Sequence, residues 1–268
     1  MKKNIYIFIT ALIMLSFISF IVMRKNNIKI NNYDVTEEKT VAINTTADDK
    51  ISNRIFTDFI YDVGPRFGSI KKADLDVMSS FNDIIGEEHA ERIIDYKSVS
   101  VIVIVNDEKS EIHETGYSDQ FNDAQLALLK SSKYSTNLLF SADLKEKNAE
   151  TGVLEDTRWT PYLTIVPEKQ AEYSEGKEAL MKYLKENSED ARAHVIPEKL
   201  QPAKLYFTVT KNGTIAHVRL DRSSNYLVVD KRMIDLITNL PGKWEPAENL
   251  KGEKVDQELV ISFGLMGC

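Results

Sequence analysis

Apolar and polar residues follow different rhythms along this chain, and each rhythm predicts a different element. From Asn4 to Met23 the sequence is apolar and carries no acidic or basic side chain; about 20 such residues span a bilayer core as a helix. From 26 to 50 no apolar period persists, and Asn, Thr and acidic residues predict a flexible tether. Leu75, Met78, Phe81 and Ile85 then recur near helical spacing, with Val77 and Ile84 beside them, which predicts a helix over 71–85. The stretch Val99 to Val105 is short, β-branched and nearly all apolar, as a central strand buried on both faces requires. Asn122 or Asp123 can cap a helix carrying Ala124, Leu126, Leu128 and Leu129. Two strands are predicted after it, over 137–144 and 159–166, joined by a charged turn around 147–156. Residues 51–166 therefore read as an α+β domain in which helices pack on a small sheet.

The rhythm continues differently over 167–268. A helix is predicted over 176–187, with Ala179, Leu180, Tyr183 and Leu184 on one face. Leu205, Phe207 and Val209 alternate with Tyr206, Thr208 and Thr210, the period of a half-buried strand. Asn212-Gly213 follows, and tight hairpin turns favour this pair because their central residues need positive φ. On the return strand Ala216, Val218 and Leu220 point inward, and His217, Arg219 and Asp221 point outward. A helix over 228–240, with Met233, Ile234 and Ile237 toward the core, stops at Pro241-Gly242. A last strand places Val255, Leu259, Ile261 and Phe263 on one face and Asp256, Glu258 and Ser262 on the other. This predicts a three-stranded antiparallel sheet covered by two helices.

Composition narrows the classes. The formal net charge of −7 argues against a nucleic-acid partner, because phosphate binding needs clustered Lys and Arg. There is one cysteine, Cys268, so no intramolecular disulfide can form and the core alone must hold the fold. Lys2 and Lys3 precede the apolar run and Arg24 and Lys25 follow it, with no A-x-A cleavage pattern at its end. An uncleaved signal anchor over 1–25 is expected, with a cleaved signal peptide as the alternative. Flanking charges of one sign leave the orientation open; a short basic N-terminus places the C-terminal bulk outside the cytoplasm by default.

An ordered set of residues in the last part of the chain carries a resemblance. It comprises Gly176 to Leu184, the Val209-x-x-Asn212-Gly213 hairpin, Arg222-Ser223-Ser224 and Asp230. Pro241-x-x-Trp244-x-Pro246-Ala247, Gly252 and the closing strand to Phe263 complete it. The order resembles the C-terminal domain of TonB-type energy transducers of Gram-negative bacteria. Each residue also has a structural role: glycines make turns, prolines end elements, and Trp244 fills the core with its indole N–H satisfied. The resemblance implies an inner-membrane, single-pass protein with its C-terminal domains in the periplasm, and neither enzymatic activity nor a cofactor.

It also implies partners: an outer-membrane receptor peptide or another envelope protein, added as an extra strand to the unpaired edge of the closing strand. The residues so marked are Val255, Asp256, Gln257, Glu258, Leu259, Val260, Ile261, Ser262 and Phe263. The alternative is an edge merely guarded by Lys254, Asp256 and Glu258. An ExbB–ExbD-like complex and a homodimer remain open as further partners. The apolar run contains no histidine, whereas transducers coupled to ExbB–ExbD carry one. An envelope adaptor without energy transduction is therefore the alternative function.

Catalytic signatures are sparse. The four histidines, His89, His113, His194 and His217, are scattered; Glu111-Ile112-His113-Glu114 offers a local acid–His cluster with no second His or Cys nearby, which reads as a solvated loop. Ser69-Ile70-Lys71-Lys72 fits Ser-x-x-Lys, but no Lys-Thr-Gly accompanies it, and Ser69 is expected to cap the following helix.

Overall fold

The computed structural model describes residues 59–193 and 195–265, which fall in one compact unit, Ile51–Cys268. The expected membrane run, the tether, His194 and Cys268 lie outside the described residues. Among the described residues no helix is long and apolar enough to cross a membrane. The architecture is mixed α+β, rich in sheet and poor in helix.

The chain opens with β1 (Ile60–Gly64) and β2 (Gly68–Lys71). Short helices α1 (Lys72–Val77), α2 (Asn82–Ile85) and α3 (Glu87–Ala90) lead to β3 (Ile93–Val105) and β4 (Glu108–Gly116). Helix α4 (Asp123–Ser131) precedes β5 (Asn137–Lys147), β6 (Leu154–Trp159) and β7 (Tyr162–Val166). After β8 (Glu172–Tyr173) come α5 (Lys177–Asn187), α6 (Glu189–Arg192), β9 (Ala203–Val209), β10 (Ile215–Arg222) and α7 (Leu227–Thr238). Short strands β11 (Trp244–Glu245), β12 (Ala247–Glu248) and β13 (Lys254–Val255) precede the long closing strand β14 (Gln257–Gly264).

The first sheet has the order β2-β7-β5-β3-β4, with β6 also paired to β5. Strand β5 is long enough to hold β7 along Asn137–Leu139 and β6 along Ala142–Lys147. Pro161 separates the two, and its carbonyl accepts the N–H of Phe140 between them. The sequence predicts one strand over 159–166; the proline divides it, and the segment expected as a charged turn contributes β6. One face of the sheet carries Val99, Val101, Leu138, Phe140, Ala142, Leu144 and Ile165, packed with Leu75, Phe81 and Leu129 from the helices. Ile102, Ile104 and Leu139 form a smaller cluster with Phe67.

The helix expected over 71–85 is two helices. The break falls at Ser79-Ser80, whose N–H groups donate to the Asp83 carboxylate at 2.8 and 2.9 Å instead of continuing a helical ladder. Ser69 lies in β2 and caps nothing; α1 starts after Lys71 without a side-chain cap. Asn122 is the cap of α4, in a capping box with Gln125.

The second sheet is antiparallel, with the order β1-β14-β9-β10. It has four strands where three are expected, because β1, from the segment assigned to the first domain, completes it. Leu205, Phe207, Leu259, Ile261 and Phe263 pack against Leu180 and Leu184 of α5 and Met233 and Ile237 of α7. Two cores therefore exist on either side of residue 166, yet the N-terminal strand crosses to the second.

Candidate partner-binding site at the closing strand

The closing strand is an internal strand, which corrects the expectation that it forms an open edge. On one side β9 pairs with it from Gln257↔Val209 to Phe263↔Ala203. On the other, β1 pairs antiparallel with it from Gly64↔Val260 to Ile60↔Gly264. The physical reason lies in the side chains. Phe59 is buried in the second core, and Tyr61 and Val63 pack against it. Phe59 stacks on Phe263 at 6.5 Å between ring centroids. Pairing with β1 thus buries apolar surface while it satisfies backbone groups.

Beyond Gly64 the same edge is closed by other means. Pro65 has no N–H and ends β1. The backbone N–H of Glu258 donates to Ser135 Oγ at 2.9 Å, a hydroxyl held out by a backbone φ of 65° at Ser135. Gln257 is 1% exposed; its Oε1 accepts the Ala171 N–H at 2.7 Å and its Nε2 donates to Gln170 Oε1 at 3.1 Å. Leu259, Ile261 and Phe263 belong to the core, and Val260 is buried on the opposite face. Ser262 lies opposite Asp62 of β1. Val255 belongs to β13 and packs at the core margin. Asp256 is exposed, and its carboxylate accepts the Lys211 N–H at 2.7 Å. The nine marked residues therefore form a contiguous run, but its backbone is already engaged along most of its length.

The motif residues interlock. Gly213 has φ 75°, and a methyl group there would overlap the carbonyl oxygen of Trp244. Only glycine fits the turn and the close approach together. Asp230 Oδ1 accepts the Ser224 N–H at 2.9 Å, and its other oxygen accepts the Ser223 hydroxyl. Tyr173 donates its hydroxyl to the Pro241 carbonyl at 2.6 Å, and its ring meets Trp244 edge-on at 5.7 Å. Trp244 fills the core as expected, but its indole N–H is buried without an acceptor among the described residues. Trp244 also lines a cavity of about 420 Å³ with Val63, Gly64, Leu180, Lys177 and Leu259.

A second polar cluster joins the two sheets. Asn106 and Asp107 both have positive φ and form the two-residue turn between β3 and β4. The Asp107 carboxylate accepts two hydrogen bonds from Arg66, at 2.9 and 2.6 Å. Lys204 Nζ and Arg222 approach it at 3.6 and 3.7 Å. The Arg66 guanidinium holds the Asp107 carboxyl below the ordinary carboxylate range, against the opposing effect of burial. Burial, and then the neighbouring Arg66, lowers the pKa of Lys204. Tyr206 is pushed up to about 12 by burial and then by Asp107, while Arg219 stacks over its ring at 4.0 Å.

The acidic cluster around His113 is part of strand β4, not a loop. Its residues are polar because β4 is the outermost strand of the first sheet. Among the described residues no three His, Cys, Asp or Glu side chains converge as metal ligands would. The contribution of β1 was readable in the alternation Phe59-x-Tyr61-x-Val63, and that of Ser135 was not, since a lone loop serine carries no pattern.

Comparison of the chain with protein-family models, with curated proteins and with solved structures finds no match.

Proposed function

We propose that this chain is a TonB-like envelope protein, anchored in the inner membrane with its folded part in the periplasm. Its work is to bind partner proteins, not to catalyse a reaction. The partner is an extended peptide from an outer-membrane receptor or another envelope protein, taken up as a strand at the β1–β14 side of the second sheet. The observation that carries the reading is the interlocking of the ordered motif set. The Asn212-Gly213 turn closes against Trp244, and Asp230 gathers Ser223 and Ser224. Residues that are individually commonplace act as one unit, which supports a TonB-type module better than any single match.

A companion reading, an adaptor that reuses the fold without energy transduction, is favoured by one observation. The run from Asn4 to Met23 has no histidine to couple to an ExbB–ExbD-like complex.

Photo-crosslinkers placed singly at Asp62 and Ser262 in native membranes, with a control at Glu111 on β4, test the proposal. Outer-membrane receptor peptides captured at either of the first two positions and not at the control are the expected result. Capture of inner-membrane proteins only, or of the chain itself, overturns the receptor role and leaves the adaptor.

A further inference from the structure

Three features of β1 bear on whether it can leave its sheet. It comes from the opposite end of the described chain and completes a module that already contains β9, β10 and β14. It is one of the two outer strands, with β10 at the other side, so its far side has no strand neighbour among the described residues. It is also the shortest strand of the sheet. Its fastenings are the ladder to β14, the buried Phe59 against Phe263 and under the Arg192 guanidinium, the packing of Tyr61 and Val63, an exposed Lys177–Asp62 ion pair, and a hydrogen bond between the Tyr61 and Ser188 hydroxyls.

The junction to the rest of the chain is arranged so that β1 can leave alone. Gly64 has open space where a side chain would stand, and Pro65 ends the pairing. The next residue, Arg66, is fixed independently by its two hydrogen bonds to Asp107. The hydrogen bonds of that clamp involve none of residues 59–64. Tension applied from the N-terminal side of the chain meets β1 before any other described element.

From this geometry we infer that β1 is a replaceable internal ligand, and that the partner strand binds β14 by taking its place. The inference rests on the strand-addition reading above and adds to it the regulation and the partner's chemistry. An incoming peptide must run antiparallel to β14 and supply apolar residues at every second position, as Phe59, Tyr61 and Val63 do. An acidic residue in the place of Asp62 meets Lys177, as the internal strand does. The free protein is thereby closed to partners except in the fraction of molecules whose β1 has lifted, and that fraction scales the apparent affinity.

The test uses the full-length protein in detergent, in a Cys268→Ser background, and a fluorescent synthetic peptide with the sequence of residues 58–65. Asp62→Cys with Ser262→Cys, which face each other in the register, locks β1 when oxidised. The oxidised form is expected to bind the peptide at least tenfold more weakly than the same protein after reduction. Phe59→Ala, which loosens β1, is expected to bind it at least tenfold more tightly than the parent. Equal binding to the oxidised and reduced forms overturns the inference, since the peptide then adds without displacing β1. So does failure of the cysteine pair to oxidise, or the absence of binding to every variant. In each of these cases receptor capture at the sheet edge in membranes stands or falls separately, so loss of the regulatory device is told apart from loss of the binding function. The locked variant keeps every core residue, so a folding defect in Phe59→Ala does not leave the question open.

Discussion

The two sheets protect their edges in different ways. The first ends in β4, whose Glu108, Lys109, Glu111, His113 and Glu114 are exposed, and at the other side in β2, four residues long. Charge and shortness deter further pairing there. The second sheet ends in β10, which is bulged between Ala216 and Arg219 and again between Leu220 and Arg222, and in β1, which has neither bulge nor more than one charge. Three of these edges repel a visiting strand by their own chemistry. The fourth, β1, uses neither device; it is itself the piece of chain that covers β14, and only a cover of that kind can be exchanged.

The largest effects test whether the two sheets are one cooperative body. Phe140 in the first core and Phe207 in the second are both fully buried. Phe140→Ala and Phe207→Ala should each cost about 3–5 kcal/mol, and in urea each should shift the same single transition. Two separate transitions would show that the sheets are independent.

Next comes the link between them. Asp107→Asn keeps the turn but removes the charge that Arg66, Lys204 and Arg222 surround, and should cost about 2 kcal/mol. The Asp107 pKa is lowered in the folded state, so its contribution is full above the unfolded carboxylate value and is lost as pH falls through the folded one. The gap in melting temperature between parent and variant should therefore be constant over about pH 5–8 and close in stronger acid. A gap that widens in acid would contradict the ion cluster.

A smaller effect stays within the first lobe. Asn122→Ala removes the capping box of α4 and should cost about 1 kcal/mol, measured by urea denaturation, with no change in peptide binding at β14. The smallest change in stability is the most pointed test of edge protection. Glu111→Val with Glu114→Val on β4 should alter stability by less than about 0.5 kcal/mol, yet raise light scattering at high protein concentration. Unchanged scattering would mean that charge is not what protects this edge.

Much of the second lobe was legible in the sequence because its elements are amphipathic and punctuated. Leu205, Phe207 and Val209 alternate, Asn212-Gly213 turns, and Pro241 ends a helix, so β9, β10 and α7 fall where the pattern puts them, except that Ala216, expected inward, lies opposite Thr208 while Ile215 packs on the core, because the bulge after Ala216 shifts the alternation. In the first lobe Val99 to Val105 showed its strand for another reason, being β-branched and nearly all apolar, although β3 begins earlier, at Ile93. What the sequence hid was polar or non-local. Strand β4 has no apolar rhythm because most of its side chains face solvent, although α4 packs on part of it. The pairing of β1 with β14 depends on residues far apart in the chain, and no local pattern reports which strand lies beside which. The candidate site was found as a run of residues, and its closure was not, since closure is a property of the partner strand.

The pairing of Ile60 with Gly264 also has a consequence for biogenesis. A chain made from its N-terminus delivers β1 to the solvent well before β14. Until β14 emerges, the apolar side of β1 has no berth, and its closing contact is among the most distant in sequence between the described strands. The nascent protein therefore passes through an interval in which strand and slot are both vacant, and any peptide or sister chain with the right alternation competes on equal terms. Vectorial synthesis makes the late-made β14 the strand that decides which molecule fills the sheet.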